Sequence, residues 1–317
     1  MPEIRPSRNE TYLCTGVEIG PDRTYWLTGF EPVGRPGSLH HIIVAACSEK
    51  PPATTHNVWN CGAGGNPVLE PGYESFVTCS DGDLFTNTLY LWSRGGQPYQ
   101  LPGDVGLPIG GDTKHQYLVL QLHYLNVDLL PTSGDTSGVD LQYTELEPEK
   151  SAGVVSVHVT TLLPPLSQTY QDGGCRIGEN KILHPLSYIV HTHARGQVVS
   201  AWRVRQDQRA PGLDHWSLIG RKSPLAPQSF YPVSDPAMRL VEGDRLAVRC
   251  TMLNLSSRTV RQGLASYDEM CDVYLMYWVW GNHTRLLQGK TYCTNPSHTS
   301  WANQGFNNIP EVLATTL

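Results

Sequence analysis

Apolar and polar residues alternate with a period of two in short runs along most of this chain. The run Tyr117–Tyr124 places three leucines on one face, and the run Val154–Thr160 places three valines opposite Ser156, His158 and Thr160. Alternation of this kind is typical of a β-strand whose two faces have different surroundings. The same pattern predicts further strands over Tyr188–His193, Gln197–Arg205, Leu246–Met252 and Asp272–Val279.

No stretch shows the apolar spacing and the caps of an amphipathic helix, so an all-β fold is predicted. The 30 glycines and 24 prolines among 317 residues suit a chain with many short strands and turns. Gly196 separates two of the predicted strands and indicates a hairpin turn. The charged stretch Glu145–Lys150 is the best linker candidate. We therefore expect two antiparallel β-sandwich domains, residues 1–150 and residues 151–317.

The charge balance narrows the choice of partners. Lys and Arg number 23 and Asp and Glu number 29, which gives a net charge of −6 and favours no nucleic-acid partner. No apolar run reaches the roughly 18 residues that span a membrane. The start of the chain, Met1–Pro6, lacks the apolar core of a signal peptide. Either the Met was added to a mature segment or the protein stays in the cytosol, and we expect a monomer.

The cysteines are spread widely, and none of them forms a CxxC pair. They are Cys14, Cys47, Cys61, Cys79, Cys175, Cys250, Cys271 and Cys293. A zinc site made of thiolates is therefore poorly supported, and an even number at wide spacing fits disulfides in an oxidising compartment. Spacing alone does not choose among the pairings, and free cysteines in a cytosolic protein are the alternative. Sequons at Asn9, Asn254 and Asn282 add weak support for a secreted glycoprotein.

Two pairs of histidines occupy positions compatible with metal binding. His191 and His193 are two residues apart in a predicted strand, so both rings leave the same face and can bind one metal. Two solvated histidines on a strand face would have the same spacing. His40 and His41 are adjacent, so both reach one metal only if the strand bulges there. On spacing alone, one exposed and one buried histidine is the simpler interpretation of that pair.

His123 and Met270 carry less information when each is taken alone. His123 lies on the polar face of its strand, where a single histidine is more often a hydrogen-bonding residue than a ligand. His158 has the same description and is interpreted as structural. Met270 shares a face with Asp272 and Tyr274 if the last strand extends back to it, although methionine is also an ordinary core residue. A thioether together with two imidazoles would select copper over zinc or magnesium.

Longer motifs follow one another in order almost from end to end of the chain. They include Leu39–Ile42, Val119–Tyr124, Val190–His193, Trp216–Arg221 and Asp268–Cys271. Together they resemble the copper type II, ascorbate-dependent monooxygenase family, and most closely its peptidylglycine α-hydroxylating branch. The resemblance implies two jelly-roll-like β-sandwich domains packed across a cleft. It also implies a secreted protein or one of the secretory-granule lumen.

The resemblance implies two copper ions, with ascorbate as the reductant and dioxygen as the co-substrate. A copper in the first domain would store an electron, and a copper in the second would react with dioxygen. The implied ligands are His40, His41 and His123 for the first copper, and His191, His193 and Met270, which are also the implied catalytic residues, for the second. The implied reaction hydroxylates the α-carbon of a C-terminal glycine in peptides, the first step of peptide amidation. The implied disulfides are Cys14–Cys61, Cys47–Cys79, Cys175–Cys293 and Cys250–Cys271.

The positions that hold the substrate carboxylate in this family depart from its pattern here. The family has an arginine two residues before the His-x-His pair, an asparagine two after the methionine and a tyrosine two further on. This chain has Ile189, Asp272 and Tyr274 at these implied substrate-binding positions. Only the tyrosine is retained, and a buried aspartate repels a carboxylate. The same chemistry on an amine or another substrate without a carboxylate is therefore one alternative, and a copper-binding or scaffolding protein without turnover is another.

Overall fold

The computed structural model describes residues 1–35, 37–62, 68–80, 88–160, 162–178, 180–281, 292–295 and 300–317. Nearly all of the regular structure in these residues is β-strand in antiparallel sheets, which confirms the predicted all-β fold. Contacts divide the chain into two compact units, one built on Met1–Gly153 and the other on Val154–Val279 with the C-terminal residues. In the part of the chain described above, no helix has the length and the apolar character needed to cross a membrane.

Among the described residues, nine strands lie entirely within the first unit. They are β1 Thr11–Glu18, β2 Thr24–Val33, β3 Leu39–Cys47, β4 Val58–Asn60, β5 Thr88–Ser93, β6 Tyr99–Gln100, β7 Val105–Gly110, β8 Tyr117–Tyr124 and β9 Gly138–Thr144. A five-stranded antiparallel sheet has the order β4-β1-β8-β3-β5, and β2 pairs antiparallel with β6, β7 and β9. The buried rings of Phe30 and Tyr90 stack with centroids 4.7 Å apart. Apolar packing of this kind supplies most of the stability of such a unit.

The remaining strands and one short helix follow. They are β10 Lys150–Val159, which begins in the first unit, β11 Leu162–Leu163, β12 Ser167–Arg176, β13 His184–His191, β14 Gly196–Gln206, β15 Asp214–Lys222, β16 Tyr231–Pro232, β17 Arg245–Asn254, β18 Val260–Arg261, β19 Asp272–Trp280, β20 Tyr292–Asn295 and α1 Glu311–Thr315. One antiparallel sheet of the second unit has the order β12-β17-β14-β15. Another runs β16-β13-β19-β10.

The alternation predicted for β10 is present in the core of the second unit. Val155, Val157 and Val159 belong to the central apolar cluster of that unit. Ser156 and His158, on the opposite face, are also buried but contact polar side chains. The strand therefore has one apolar and one polar buried face.

The predicted hairpin around Gly196 is wrong. Strand β13 pairs with β16 and β19, whereas β14 pairs with β15 and β17, so the two consecutive strands lie in different sheets. Gly196 is required for packing instead, because a Cβ at this position would lie 2.2 Å from the side-chain oxygen of Thr192. The strand predicted to reach His193 also ends earlier, at His191.

The cysteines form the four disulfides that the resemblance implied. The bonds are Cys14–Cys61, Cys47–Cys79, Cys175–Cys293 and Cys250–Cys271. Disulfides are typical of proteins in an oxidising compartment, such as the secretory pathway.

The three sequons differ in whether the fold leaves the asparagine accessible to a glycan. Asn9 is exposed, and Asn282 lies outside the described residues. Asn254 is buried, and its amide nitrogen donates to the carbonyls of Leu163, Pro164 and Arg258. A glycan attached there would break these bonds, so Asn254 is a structural residue in the folded protein.

Candidate metal centres

A bulge in β3 brings the two adjacent histidines together. The pairing of β3 with β8 shifts between Leu39 and His41, so His40 is an extra residue on this strand. Such a bulge lets neighbouring side chains that would leave opposite faces approach each other. The Nδ1 atoms of His40 and His41 consequently lie 3.2 Å apart.

His123 on β8 completes this cluster. It is directly opposite His41 in the pairing of β8 with β3, and opposite Tyr12 in the pairing of β8 with β1. Its ring centroid is 4.8 Å from that of His40 and 5.1 Å from that of His41. One nitrogen from each of the three rings lies within 4.8 Å of the others. The aromatic ring of Tyr12 stacks on His123 at 3.9 Å and holds its plane.

Hydrogen bonds decide which ring nitrogen of His41 and of His123 carries the lone pair. The Nε2–H of His41 donates to Oε1 of Gln121 at 3.2 Å, because the amide nitrogen of Gln121 is directed at Thr78. The Nε2–H of His123 donates to the carboxylate of Glu10 at 3.1 Å. This network assigns the lone pair of both rings to Nδ1. Carboxylate and amide oxygens in this position are the usual partners of metal-binding histidines.

The second pair of histidines has the opposite arrangement. The Nδ1–H of His191 donates to Oε1 of Gln228 at 2.7 Å, and the Nδ1–H of His193 donates to the carbonyl of Asp268 at 3.1 Å. Gln228 is itself oriented, since its amide nitrogen donates to the carbonyls of Thr192 and Pro224. The lone pairs are therefore assigned to Nε2 in both rings. The ring centroids lie 5.4 Å apart with the planes nearly perpendicular.

One buried carboxylate connects His193 with Met270. Glu269 is fully buried, and it accepts the backbone N–H groups of His193, Arg195 at 2.8 Å and Met270 at 3.0 Å. Burial raises the pKa of Glu269, and the three N–H donors oppose that rise. Met270 precedes β19 and does not belong to that strand, so its position depends on this carboxylate and on the Cys250–Cys271 disulfide beside it.

The three expected substrate-binding positions lie on one face of the pair β13–β19. Ile189 is opposite Tyr274, and His191 is opposite Asp272. Directly opposite residues in an antiparallel pair place their side chains on the same face as close neighbours. Ile189, Asp272 and Tyr274 are all buried. None of these three side chains carries a positive charge that would bind a carboxylate.

Sequence reasoning missed the residues that orient these side chains. They are Glu10, Gln121, Gln228, Asp268 and Glu269. Gln121 had a local signal, since it is two residues before His123 on the same strand face. Glu10 and Gln228 lie in segments without such a pattern. His158, interpreted as structural, donates from Nδ1 to Asp272 at 2.9 Å and so contacts an expected substrate residue.

The donor sets fit copper. Two nitrogens 3.2 Å apart can share a metal at bond lengths of about 2.0–2.1 Å with an angle near 100°. Imidazoles suit copper in both oxidation states, and a thioether favours Cu(I). Met270 is buried next to Glu269, which also accepts the N–H group of His193. A soft sulfur donor is therefore available in the second unit.

Comparisons with known proteins agree with this chemistry. Residues 1–131 match the family model of the copper type II ascorbate-dependent monooxygenase N-terminal domain, and residues 150–304 match that of the C-terminal domain. Among solved structures, infectious bursal disease virus Gx strain aligns over 89% of this chain and 60% of that chain, with a TM-score of 0.23 at 10% identity. A likeness that weak carries no argument.

Several curated proteins are similar over most of the chain. The peptidyl-glycine alpha-amidating monooxygenase A of Xenopus laevis is 32% identical over 98% of this chain and 30% of its own length. The mouse peptidyl-glycine alpha-amidating monooxygenase is 34% identical over 89% of this chain and 27% of its own length. The mouse DBH-like monooxygenase protein 2 is 27% identical over 87% of this chain and 44% of its own length. The chain thus spans about a third of the length of the peptidyl-glycine relatives. It belongs to the copper type II ascorbate-dependent monooxygenase family, whose chemistry uses copper, ascorbate as the reductant and dioxygen as the co-substrate.

Proposed function

We propose that this chain hydroxylates the α-carbon of a C-terminal glycine in peptides and binds two copper ions to do so. The convergence of three imidazole nitrogens within 4.8 Å carries the copper part of the proposal, and the similarity to peptidyl-glycine monooxygenases supports the substrate. The ligands of the first copper would be His40, His41 and His123. Those of the second would be His191, His193 and Met270. The reaction inserts one atom of dioxygen into a C–H bond and reduces the other to water, which consumes two electrons from ascorbate and two protons.

Bound copper would supply the one-electron redox chemistry with dioxygen that side chains alone do not have. The protein's own residues prepare the donors. Gln228 and Asp268 keep the protons of His191 and His193 on Nδ1, so Nε2 is left as the metal donor. Glu269 fixes the backbone that carries the thioether of Met270. Pre-organised donors of this kind lower the cost of ordering the site when the metal binds.

The proposal places the protein in the lumen of the secretory pathway, because its four disulfides require an oxidising compartment. Peptide precursors would be its substrates there, and it would act as a monomer. Tyr274, Asp272 and Ile189 would line the substrate site, since they share a strand-pair face with His191. Size-exclusion chromatography with light scattering tests the monomer.

Turnover of a glycine-extended peptide tests the function. Copper-loaded protein with ascorbate and dioxygen should add one oxygen atom to a peptide that ends in glycine, as measured by mass spectrometry. His123→Ala and Met270→Ala should each abolish this product, because each removes one donor of a copper. His215→Ala, at an exposed histidine, is the matched control and should retain turnover. If protein with both coppers bound hydroxylates no glycine-extended peptide, this substrate is wrong.

The charge of the expected anchor favours a second candidate. Asp272 and Ile189 stand where the family pattern has side chains that bind a carboxylate, and Asp272 is buried on the face it shares with His191. A substrate carboxylate beside Asp272 would meet a like charge. The same copper chemistry on a substrate without a carboxylate therefore follows as the alternative. Dioxygen uptake with matched substrates that differ only in the terminal group distinguishes the two.

A further inference from the structure

Two buried polar side chains of the neighbouring strand β10 form a hydrogen-bond network with Asp272. The imidazole of His158 contacts the hydroxyl of Ser156 through Nε2 at 2.8 Å and the Oδ1 atom of Asp272 through Nδ1 at 2.9 Å. The exposed fractions of Ser156, His158 and Asp272 are 1%, 6% and 2%. Polar groups so deeply buried are retained only where their hydrogen bonds are satisfied or where they serve a ligand.

The second carboxylate oxygen of Asp272 takes no part in these hydrogen bonds. Oδ2 is buried and has no hydrogen-bond partner among the described residues. Leaving a buried charged oxygen without a donor is strongly unfavourable. A structural ion pair would avoid that cost by turning both oxygens toward donors, as the carboxylate of Asp172 does with two nitrogens of Arg249. Within the described part of the chain, one oxygen of Asp272 is therefore satisfied and the other still needs a hydrogen-bond donor.

Asp272 lies close to a proposed copper ligand, so a substrate at that metal is placed to supply the donor. Asp272 is directly opposite His191, whose Nδ1–H is held by Gln228. Directly opposite side chains have Cβ atoms about 4.5–5.5 Å apart. The carboxylate thus lies within one side-chain length of a proposed copper ligand. A substrate whose reacting carbon approaches the metal would bring a neighbouring functional group close to Oδ2.

We propose that Asp272 is the specificity-determining residue of this site and that its Oδ2 accepts a hydrogen bond from a protonated amine of the substrate. His158, supported by Ser156, is a positioning residue that fixes the other oxygen. An ammonium group supplies both the donor and the charge that a buried carboxylate needs. The inference rests on the proposed copper hydroxylation and develops the second candidate substrate, the one without a carboxylate.

Binding to the copper-loaded full chain, without ascorbate and under nitrogen, tests the subsite separately from catalysis. Calorimetry compares three phenyl probes: 2-phenylethylammonium, the neutral 2-phenylethanol and the anionic benzoylglycine. The cation should bind at least 10-fold more tightly than either of the others. Asp272→Asn should weaken the binding of the cation at least 10-fold. It should weaken the binding of benzoylglycine little or not at all. Asp235→Asn, at an exposed aspartate, is the matched control and should change neither.

A second variant distinguishes a positioning role from a merely structural one. His158→Gln keeps a donor near Oδ1 but loosens its direction, so it should weaken cation binding several-fold while the thermal unfolding midpoint stays within a few degrees. Electron paramagnetic resonance on the same samples shows whether the amine binds copper directly. Unchanged copper spectra on saturation support the Asp272 subsite, and a spectrum altered by amine coordination overturns it.

The outcomes separate the inference from the proposed function. Equal affinity of the folded wild type and Asp272→Asn for the cation, or a preference of the wild type for benzoylglycine, overturns the subsite. Cation binding that depends on Asp272, with no dioxygen uptake on either amines or glycine-extended peptides after ascorbate is added, upholds the subsite and overturns the proposed copper hydroxylation. Uptake with 2-phenylethylammonium that falls in Asp272→Asn supports the subsite and copper hydroxylation of the second candidate substrate.

Discussion

Replacing Glu269 with glutamine tests whether one buried carboxylate organises the donors of the second unit. Oε1 of Glu269 accepts the N–H groups of His193 and Met270, and Oε2 accepts that of Arg195. The amide of glutamine has the same shape but a single acceptor oxygen. In its best orientation it keeps two of these bonds and directs an NH2 group at the N–H of Arg195. One hydrogen bond is lost, and two donors then face each other.

The expected loss follows from that single broken bond. Removing a charged acceptor while its donor stays buried costs about 1–3 kcal/mol. A loss of about 2 kcal/mol lowers the melting temperature of a unit of roughly 150–250 residues by about 4–8 °C. The slope of urea unfolding should stay unchanged, because the surface exposed on unfolding is the same. Glu269→Ala would leave all three N–H groups without an acceptor. The resulting loss would be a large share of the roughly 5–15 kcal/mol by which a folded protein is stable, so this variant is less informative.

Urea unfolding and copper titration together form the assay. Outer partners of metal ligands typically contribute about 10–100-fold in affinity, so Glu269→Gln should weaken the copper bound in the second unit by that factor. The copper proposed to bind at His40, His41 and His123 in the first unit should be unaffected. Glu242→Gln, at an exposed position, is the control. A Glu269→Gln protein with the unfolding midpoint and both copper affinities of the wild type would refute the organising role of this carboxylate.

Two further substitutions test the packing and the first donor set. Gly220→Ala would place a Cβ 2.0 Å from the ring of Tyr188, so it should lower the free energy of unfolding by about 1–3 kcal/mol in urea, whereas Gly178→Ala, with no atom within 4 Å, should change it little. Equal effects of the two substitutions would contradict the close approach. Glu10→Gln removes the negative charge next to Nε2 of His123, so the affinity of the first copper should fall about 10–100-fold in a titration followed by electron paramagnetic resonance. An unchanged affinity would mean that Glu10 does not orient this ligand.

The period-two pattern predicted the strands because each strand has its own core-facing side. Val155, Val157 and Val159 are in the core as the alternation requires, and the all-β fold follows from many such runs. The histidines are proposed as ligands through the resemblance, because spacing alone leaves the pair His191 and His193 open and favours a structural interpretation of the others. The bulge at His40, by contrast, depends on how β3 pairs with a strand some eighty residues later. A pairing shift of that kind leaves no period in the local sequence.

The partners of the histidines could not be predicted for a related physical reason. Glu10 reaches His123 across 113 residues, and Glu269 reaches His193 across 76. Such contacts arise from the packing of distant strands, and a single sequence holds no record of them. The hairpin expected at Gly196 failed in the same way, because the chain passes from one sheet to another where a local pattern indicates a return.

Each disulfide joins two cysteines of the same compact unit, four cysteines to a unit. Four thiols can pair in three ways, whereas eight can pair in more than a hundred. If the first unit encloses its thiols while the rest of the chain is still being synthesised, the choices fall to three for each unit and nine in all. Oxidative folding in the order of synthesis therefore meets few wrong partners, and a disulfide isomerase has little to correct.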